Sequence, residues 1–354
     1  MSDRIDLTLL DNPQIDSINT IFDRSDHKVI INGNSNEISL NGEWKFKFFN
    51  EFREEIYDFL DINADINDFE SINVPAHFEL SGYGKPQYVN TKYPWFGREN
   101  VPLGKSPKQN PLGIYFKDIQ INNLELNRFI LRFEGFESAL YLLINGHFVG
   151  YSEKCYTNSE FDITNYLHVG VNRIAVIVFK YSKYSWFLDQ DMWRFSGIFR
   201  DVKLLVDPLV TIFDVKNDSI LDEDNKTGLL NIRVLLAGKS INSKIFYKLS
   251  LQNNIILKNE VSSINGLSEI HEKIENVKQY SAELPFLYNL ELTLVQDNKV
   301  VCSTNLDIGF RNIKIVDGVI LINGEKLVIK GVNRHEFDSI NGGAISTELI
   351  ESDI

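Results

Sequence analysis

A chain of 354 residues is longer than one ordinary domain and suits two or three. Its 43% hydrophobic and 12% aromatic content is ample for buried cores, which excludes a disordered chain. A formal charge of −13 without clustered Lys or Arg excludes nucleic acid as a partner and reads as simple solubility.

The N-terminus, MSDRIDLTLLDN, is charged within its first residues and lacks the apolar core of a leader. No apolar run approaches the roughly 20 residues that span a bilayer, so no membrane association is expected. Cys155 and Cys302 lie far apart and make neither a disulfide framework nor a CxxC metal pair. A soluble, reduced, cytoplasmic protein is the expectation.

Strand signals dominate from residue 39 onward. In SLNGEWKFKFF (39–49), Trp44, Phe46 and Phe48 alternate with Lys45 and Lys47, the pattern of a half-buried strand. EFREEIYDFL (51–60) is the one plausible early helix. Residues 81–113 are dense in Gly and Pro and hold no periodic element. Their aromatics (Tyr83, Tyr88, Tyr93, Trp95 and Phe96) predict an ordered loop rather than disorder. RFILRFEGF (128–136) is a strand, and ALYLLINGHFVGYSE (139–153) a hairpin turning at Asn145-Gly146. NRIAVIVFKY (172–181) and IFRDVKLLV (198–206) complete at least six strands before Pro208, which marks a boundary.

Strands then continue at 228–238, 244–252, 287–297 and 299–310, separated by short polar turns, which suits a small β-sandwich. In IKIVDGVILINGEKLVIKGVNRHEF (313–337), Asp317-Gly318 and Asn323-Gly324 are turns. LVIKGV (327–332) reads as the first strand of something larger.

The motifs of nucleotide binding are absent: no GxGxxG or GxxxxGK[ST] occurs, nor a GxSxG elbow or HExxH helix. The six histidines are scattered, which gives a protein-only His metal site little support. In FLDQDMWRFSGIFRDV (187–202), Asp189 and Asp191 invite a carboxylate-pair reading. They could equally pair with Arg194 or Arg200 and pin a loop. Trp186 and Trp193 suit either a core or a sugar-stacking platform. Asn90 could hydrogen-bond a sugar hydroxyl or simply occupy a turn. His335 and Glu336 follow an apolar strand, where barrel enzymes place their chemistry, or they are a solvated strand end.

Taken together, several segments resemble the β-galactosidases of glycoside hydrolase family 2. Among them are LNGEWKF (40–46), GKPQYVNTKYPW (84–95), FEGFESALYLLINGHFVGYS (133–152), DQDMWRFSGIFRDV (189–202) and LINGEKLVIKGVNRHEF (321–337). The resemblance implies a mainly β chain in three parts. Residues 1–207 would hold an N-terminal extension and a jelly-roll sugar-binding domain, and 208–311 an immunoglobulin-like sandwich. Residues 312–354 would be the start of a TIM barrel, with its first strand only.

The same resemblance implies hydrolysis of terminal non-reducing β-D-galactose from β-galactosides such as lactose, with retention. Asn90 and Asp191 would bind galactose hydroxyls, and Asp191 would also ligate a sodium ion. His335 would stabilise the transition state through a sugar hydroxyl, with Trp193 and Arg194 in support. The acid/base and nucleophile glutamates and the magnesium ligands of the family fall beyond Ile354, so no carboxylate here takes either catalytic role. The partners implied are the remaining barrel and C-terminal domains or a complementing chain, with homo-oligomerisation open.

Some members bind a further, structural magnesium through an aspartate near the N-terminus and another upstream of DQD. Leu9 and Lys183 stand at those positions here, so that site is not expected. The alternatives are a non-catalytic carbohydrate-binding module, or the sister activities β-glucuronidase and β-mannosidase.

Overall fold

The structure is a computed structural model that describes residues 3–125, 127–188 and 191–354. It divides into two compact units: residues 1–22, 38–206 and 334–354, and residues 23–37 with 207–333.

The first unit is built on a seven-stranded sheet. Its order is Ser17–Ile18, His147–Ser152, Ala139–Ile144, Gly170–Phe179, Leu112–Ile121, Gly42–Phe49 and Glu70–Val74. The Gly170–Phe179 strand lies mid-sheet and is buried on both faces. Its near-continuous apolar run, IAVIVF, is what such a position requires. A second sheet includes Ser159–Asp162, Asn127–Phe133 and Val202–Pro208.

One core packs Trp44, Phe46, Phe78, Phe133, Phe136 and Phe161. A second, on the opposite face, packs Ile56, Leu60, Phe116, Tyr141 and Phe179, with Ile5, Leu9 and Leu10 of the N-terminal segment. Each such large side chain contributes roughly 2 kcal/mol by leaving water. The expected hairpin forms: Ile144 pairs with His147, and Asn145 and Gly146 turn with φ of +53° and +82°. The expected helix is present as Ile56–Leu60.

In the second unit one sheet pairs Gly228–Ala237 with Thr211–Asn217, Ile220–Leu221 and Leu267–Ile274. The other runs Asn254–Ser262, Ser243–Leu251, Tyr288–Gln296, Lys299–Ile308, Ile30–Ile31 and Asn34–Ser35. Residues 23–37 belong here because Val29 is buried among Ile212, Leu230 and Leu292, and a His27 ring nitrogen lies 3.1 Å from the Ile212 carbonyl. That short run carries no strand signal of its own. Asp317-Gly318 and Asn323-Gly324 turn between Ile313–Val316, Val319–Ile322 and Glu325–Lys326. Residues 327–332, read from sequence as a strand, form none here: the Leu327 amide donates to the Ile320 carbonyl at 2.9 Å, and the run beyond it is not in a ladder among the described residues. A buried parallel strand takes hydrogen bonds from both neighbours, and here Val328, Ile329 and Val332 stand exposed.

Candidate functional site

The aromatic loop and the DQDMWR stretch meet in a two-stranded ribbon. Gln87–Val89 runs antiparallel to Met192–Arg194, with Val89 opposite Met192 and Gln87 opposite Arg194. Asn90 follows Val89 and Asp191 precedes Met192, so the register carries both polar residues to the same end of the ribbon. Both are exposed. Asp191 is held by the Tyr88 hydroxyl, which donates to its Oδ1. The two ribbon strands also share an edge-to-face contact, Tyr88 against Trp193 at 5.6 Å. Neither Arg194 nor Arg200 is the partner of Asp191. Arg200 instead pairs with Glu336 at 3.0 Å and donates to the Tyr156 carbonyl. Asp189, the other half of the possible carboxylate pair, lies outside the described residues.

The loop behind the ribbon is ordered by its aromatics. Tyr93 and Trp95 stack at 5.3 Å, Trp186 packs against both, and the Trp186 indole donates to the Lys105 carbonyl at 2.7 Å. Trp186 is therefore part of a small core, whereas Trp193 remains 42% exposed. Beneath the ribbon, Lys180 donates to Glu79 at 2.5 Å and to the Arg194 carbonyl at 3.2 Å. Glu79 in turn accepts from the Ser196 amide at 2.8 Å and the Ser196 hydroxyl at 3.0 Å. Gly197 comes next, at φ +110°. A Cβ there would lie 2.8 Å from the Tyr115 hydroxyl and 3.0 Å from the Ala76 carbonyl, so the motif's SG step has a steric cause.

Next to the ribbon is a cavity of about 400 Å³ whose walls include Glu137, Trp193, Arg194, His335 and Phe337. His335 is exposed, between two anchored neighbours: Arg334 pairs with Asp353 at 2.7 Å and Glu336 with Arg200. Phe337 lies parallel to Phe195 at 6.3 Å. The structure thus brings Trp193, Arg194 and His335 round one cavity. Asn90 and Asp191 are not in that lining; they stand at the ribbon's end.

Three family models match consecutive stretches: the glycosyl hydrolases family 2 sugar-binding domain over residues 38–208, the family 2 domain over 210–311, and the family 2 TIM barrel domain over 313–354. The chain belongs to glycosyl hydrolase family 2. It is mainly β: a sugar-binding jelly roll, an immunoglobulin-like sandwich and a short start of the TIM barrel domain.

Among its relatives, a β-galactosidase of Streptococcus thermophilus is 39% identical over 98% of this chain and 35% of its own length. A β-galactosidase large subunit of Latilactobacillus sakei is 35% identical over 96% of this chain and 57% of its own. The chain therefore spans between about a third and three-fifths of these relatives. A solved β-glycosidase from Bacteroides vulgatus superposes with a TM-score of 0.70 over 89% of this chain and 39% of its own, at 23% identity. A Bifidobacterium dentium β-glucuronidase reaches 0.70 over 94% and 56%, at 16% identity. These two likenesses concern the fold.

Two titratable groups of the family-2 chain's cavity escaped sequence reading. Loss of solvent pushes the Glu137 carboxyl up to about 7, against the pull of the Tyr156 hydroxyl, 3.2 Å away, and of Arg194. Burial lowers His77 to about 4, so its ring is neutral. Its Nε2 accepts the Gly343 amide at 3.0 Å, which leaves the proton on Nδ1, 3.3 Å from the Ser196 carbonyl. The usable signal was a charged or imidazole residue inside an apolar run, as in AHFEL for His77 and Glu79 and IVFKY for Lys180. Among the described residues no cluster of three or more His, Cys, Asp or Glu offers a metal site, and no helix is long and apolar enough to cross a membrane.

Proposed function

We propose that this chain is the substrate-side part of a retaining β-galactosidase that removes terminal β-D-galactose from β-galactosides such as lactose. The observation that carries this is the ribbon register. It delivers Asn90 and Asp191 from two separate motifs to one exposed end, where two polar side chains can address one sugar. Relatives named β-galactosidase across nearly the whole chain support the substrate class.

Asp191 Oδ1 is occupied by Tyr88, while Oδ2 has no protein partner among the described residues. That oxygen suits a sugar hydroxyl or a hard cation, so Asp191 is the residue proposed to hold sodium, which would supply further electrostatic grip on the sugar. His335, at the cavity wall, is proposed to hydrogen-bond a sugar hydroxyl in the transition state, with Trp193 and Arg194 shaping the wall. The two catalytic glutamates and the magnesium ligands are proposed to come from the rest of a barrel, on the same polypeptide or a complementing one. The proposed domain limits lie near 207 and 311, and the two free buried thiols fit a cytoplasmic setting.

The test is turnover of a chromogenic β-galactoside. The purified 354-residue chain is expected to show none, and activity is expected when a polypeptide carrying the remaining barrel is supplied. Turnover by the chain alone would overturn the reading. A second reading, a carbohydrate-binding module without catalysis, draws on the half-exposed Trp193 beside the cavity. Galactose binding by the isolated chain, abolished by Asp191→Ala, would favour it.

A further inference from the structure

The residues at the family's second, structural magnesium position do not fit a divalent ion in this chain. Leu9 offers no side-chain oxygen, and its carbonyl accepts a hydrogen bond from Lys183 Nζ at 3.2 Å. The same ammonium donates to the Glu153 carboxylate. The Lys183 and Glu153 side chains are 9% and 1% exposed. The ring of Tyr151 completes the cation's surroundings, 5.8 Å from Nζ to its centroid. A divalent ion here would have to share both oxygens with a positive charge already in contact with them.

We infer that the Lys183 ammonium is a cation carried by the chain itself, clamping the N-terminal segment to the jelly roll without metal. That segment, residues 3–18, has other ties. The Tyr141 hydroxyl donates to the Asp6 carbonyl at 3.0 Å. The Ser106 amide and hydroxyl donate to the Asp11 carboxylate at 2.7 and 2.8 Å, and the Glu153 amide donates to the Asp16 carbonyl at 2.9 Å. Lys183 is the tie that carries charge into the buried face. It also opens the short 3-10 turn Lys183–Trp186, closed at its start by reciprocal Ser182 and Ser185 hydrogen bonds. The clamp therefore joins the N-terminal segment to the start of that turn.

The experiment is hydrogen exchange of residues 3–18 in the full 354-residue chain, with thermal unfolding alongside. Exchange and Tm of the unsubstituted chain are expected to be the same in excess magnesium and in a chelator. Lys183→Met leaves Glu153 buried without its cation, and is expected to lower Tm by about 10 °C and speed exchange across 3–18 in either medium. The pair Lys183→Met with Glu153→Gln removes both charges and is expected to recover part of that loss, which keeps the test open if the single variant folds poorly. Protection of 3–18 that rises with magnesium in the unsubstituted chain would overturn the inference. So would a Lys183→Met chain whose segment exchanges no faster.

Discussion

Tyr88 and Asp191, 103 residues apart in sequence, are joined by one hydrogen bond from phenol to carboxylate. The hydrogen bond to this carboxylate raises the Tyr88 phenol above its ordinary value of 10, because ionising the phenol would remove the shared proton and then set two anions side by side. Asp191→Asn is expected to bring the Tyr88 absorbance titration back towards 10. Tyr88→Phe frees the carboxylate to rotate, and is expected to weaken galactose binding by the complete enzyme about five- to tenfold. A Tyr88→Phe enzyme that binds as tightly as the parent would show that the phenol does not orient Asp191.

His77 makes the first unit sensitive to acid. Between about pH 4 and 6.5 the unfolded chain takes up a proton that the folded ring refuses, so stability rises with pH through that window. The gap amounts to about 3 kcal/mol once pH exceeds 6.5. Denaturant unfolding at a series of pH values checks it, and His77→Asn is expected to flatten the slope.

Glu137 works in the opposite direction. Folded, it keeps its proton up to about pH 7, whereas unfolded it releases it near 4.5, so its contribution is lost as pH rises from 4.5 to 7. Glu137→Gln, a stand-in for the protonated acid, is expected to match the parent at pH 4.5 and exceed it in stability at pH 8. Equal stability of the two proteins at pH 8 would show that the carboxyl ionises freely.

The Glu79–Lys180 pair is expected to be the most sensitive point under the ribbon. Lys180→Met strands a buried carboxylate, at a cost of about 3–5 kcal/mol. Because Glu79 holds the Ser196 amide and Lys180 the Arg194 carbonyl, hydrogen exchange at 194–196 should quicken in that variant before the sheet amides do.

Much of the framework was readable because it is written locally. Asn-Gly and Asp-Gly dipeptides placed the turns, since those residues tolerate the positive φ that tight hairpins need. The alternation at Trp44, Phe46 and Phe48 marked a strand with one buried face. The motif resemblance named Asn90, Asp191 and His335, but periodicity could not say that Asn90 and Asp191 share a ribbon end while His335 belongs to a neighbouring cavity. That depends on the pairing of residues 87–89 with 192–194, which lies outside any sequence window. Spacing offered Asp189 or Asp191 as a partner for Arg194 or Arg200, and Asp189 lies outside the described residues. Asp191 is held by a tyrosine from the aromatic loop, and Arg200 is engaged by Glu336. Residues 23–37 were illegible for the same reason: their ladder is with a strand more than two hundred residues further on.

The tongue formed by residues 313–332 turns Ile313, Ile315, Val319, Ile320, Val328 and Ile329 towards water. In dilute buffer a net charge of −13 keeps such molecules apart. Added salt shortens the reach of that repulsion to about 10 Å at 0.1 M, and strongly hydrated anions also raise the cost of wetting the tongue. The chain's colloidal behaviour should therefore invert with ionic strength: dispersed at low salt, it is expected to associate reversibly under sulfate well before it unfolds, as light scattering would register.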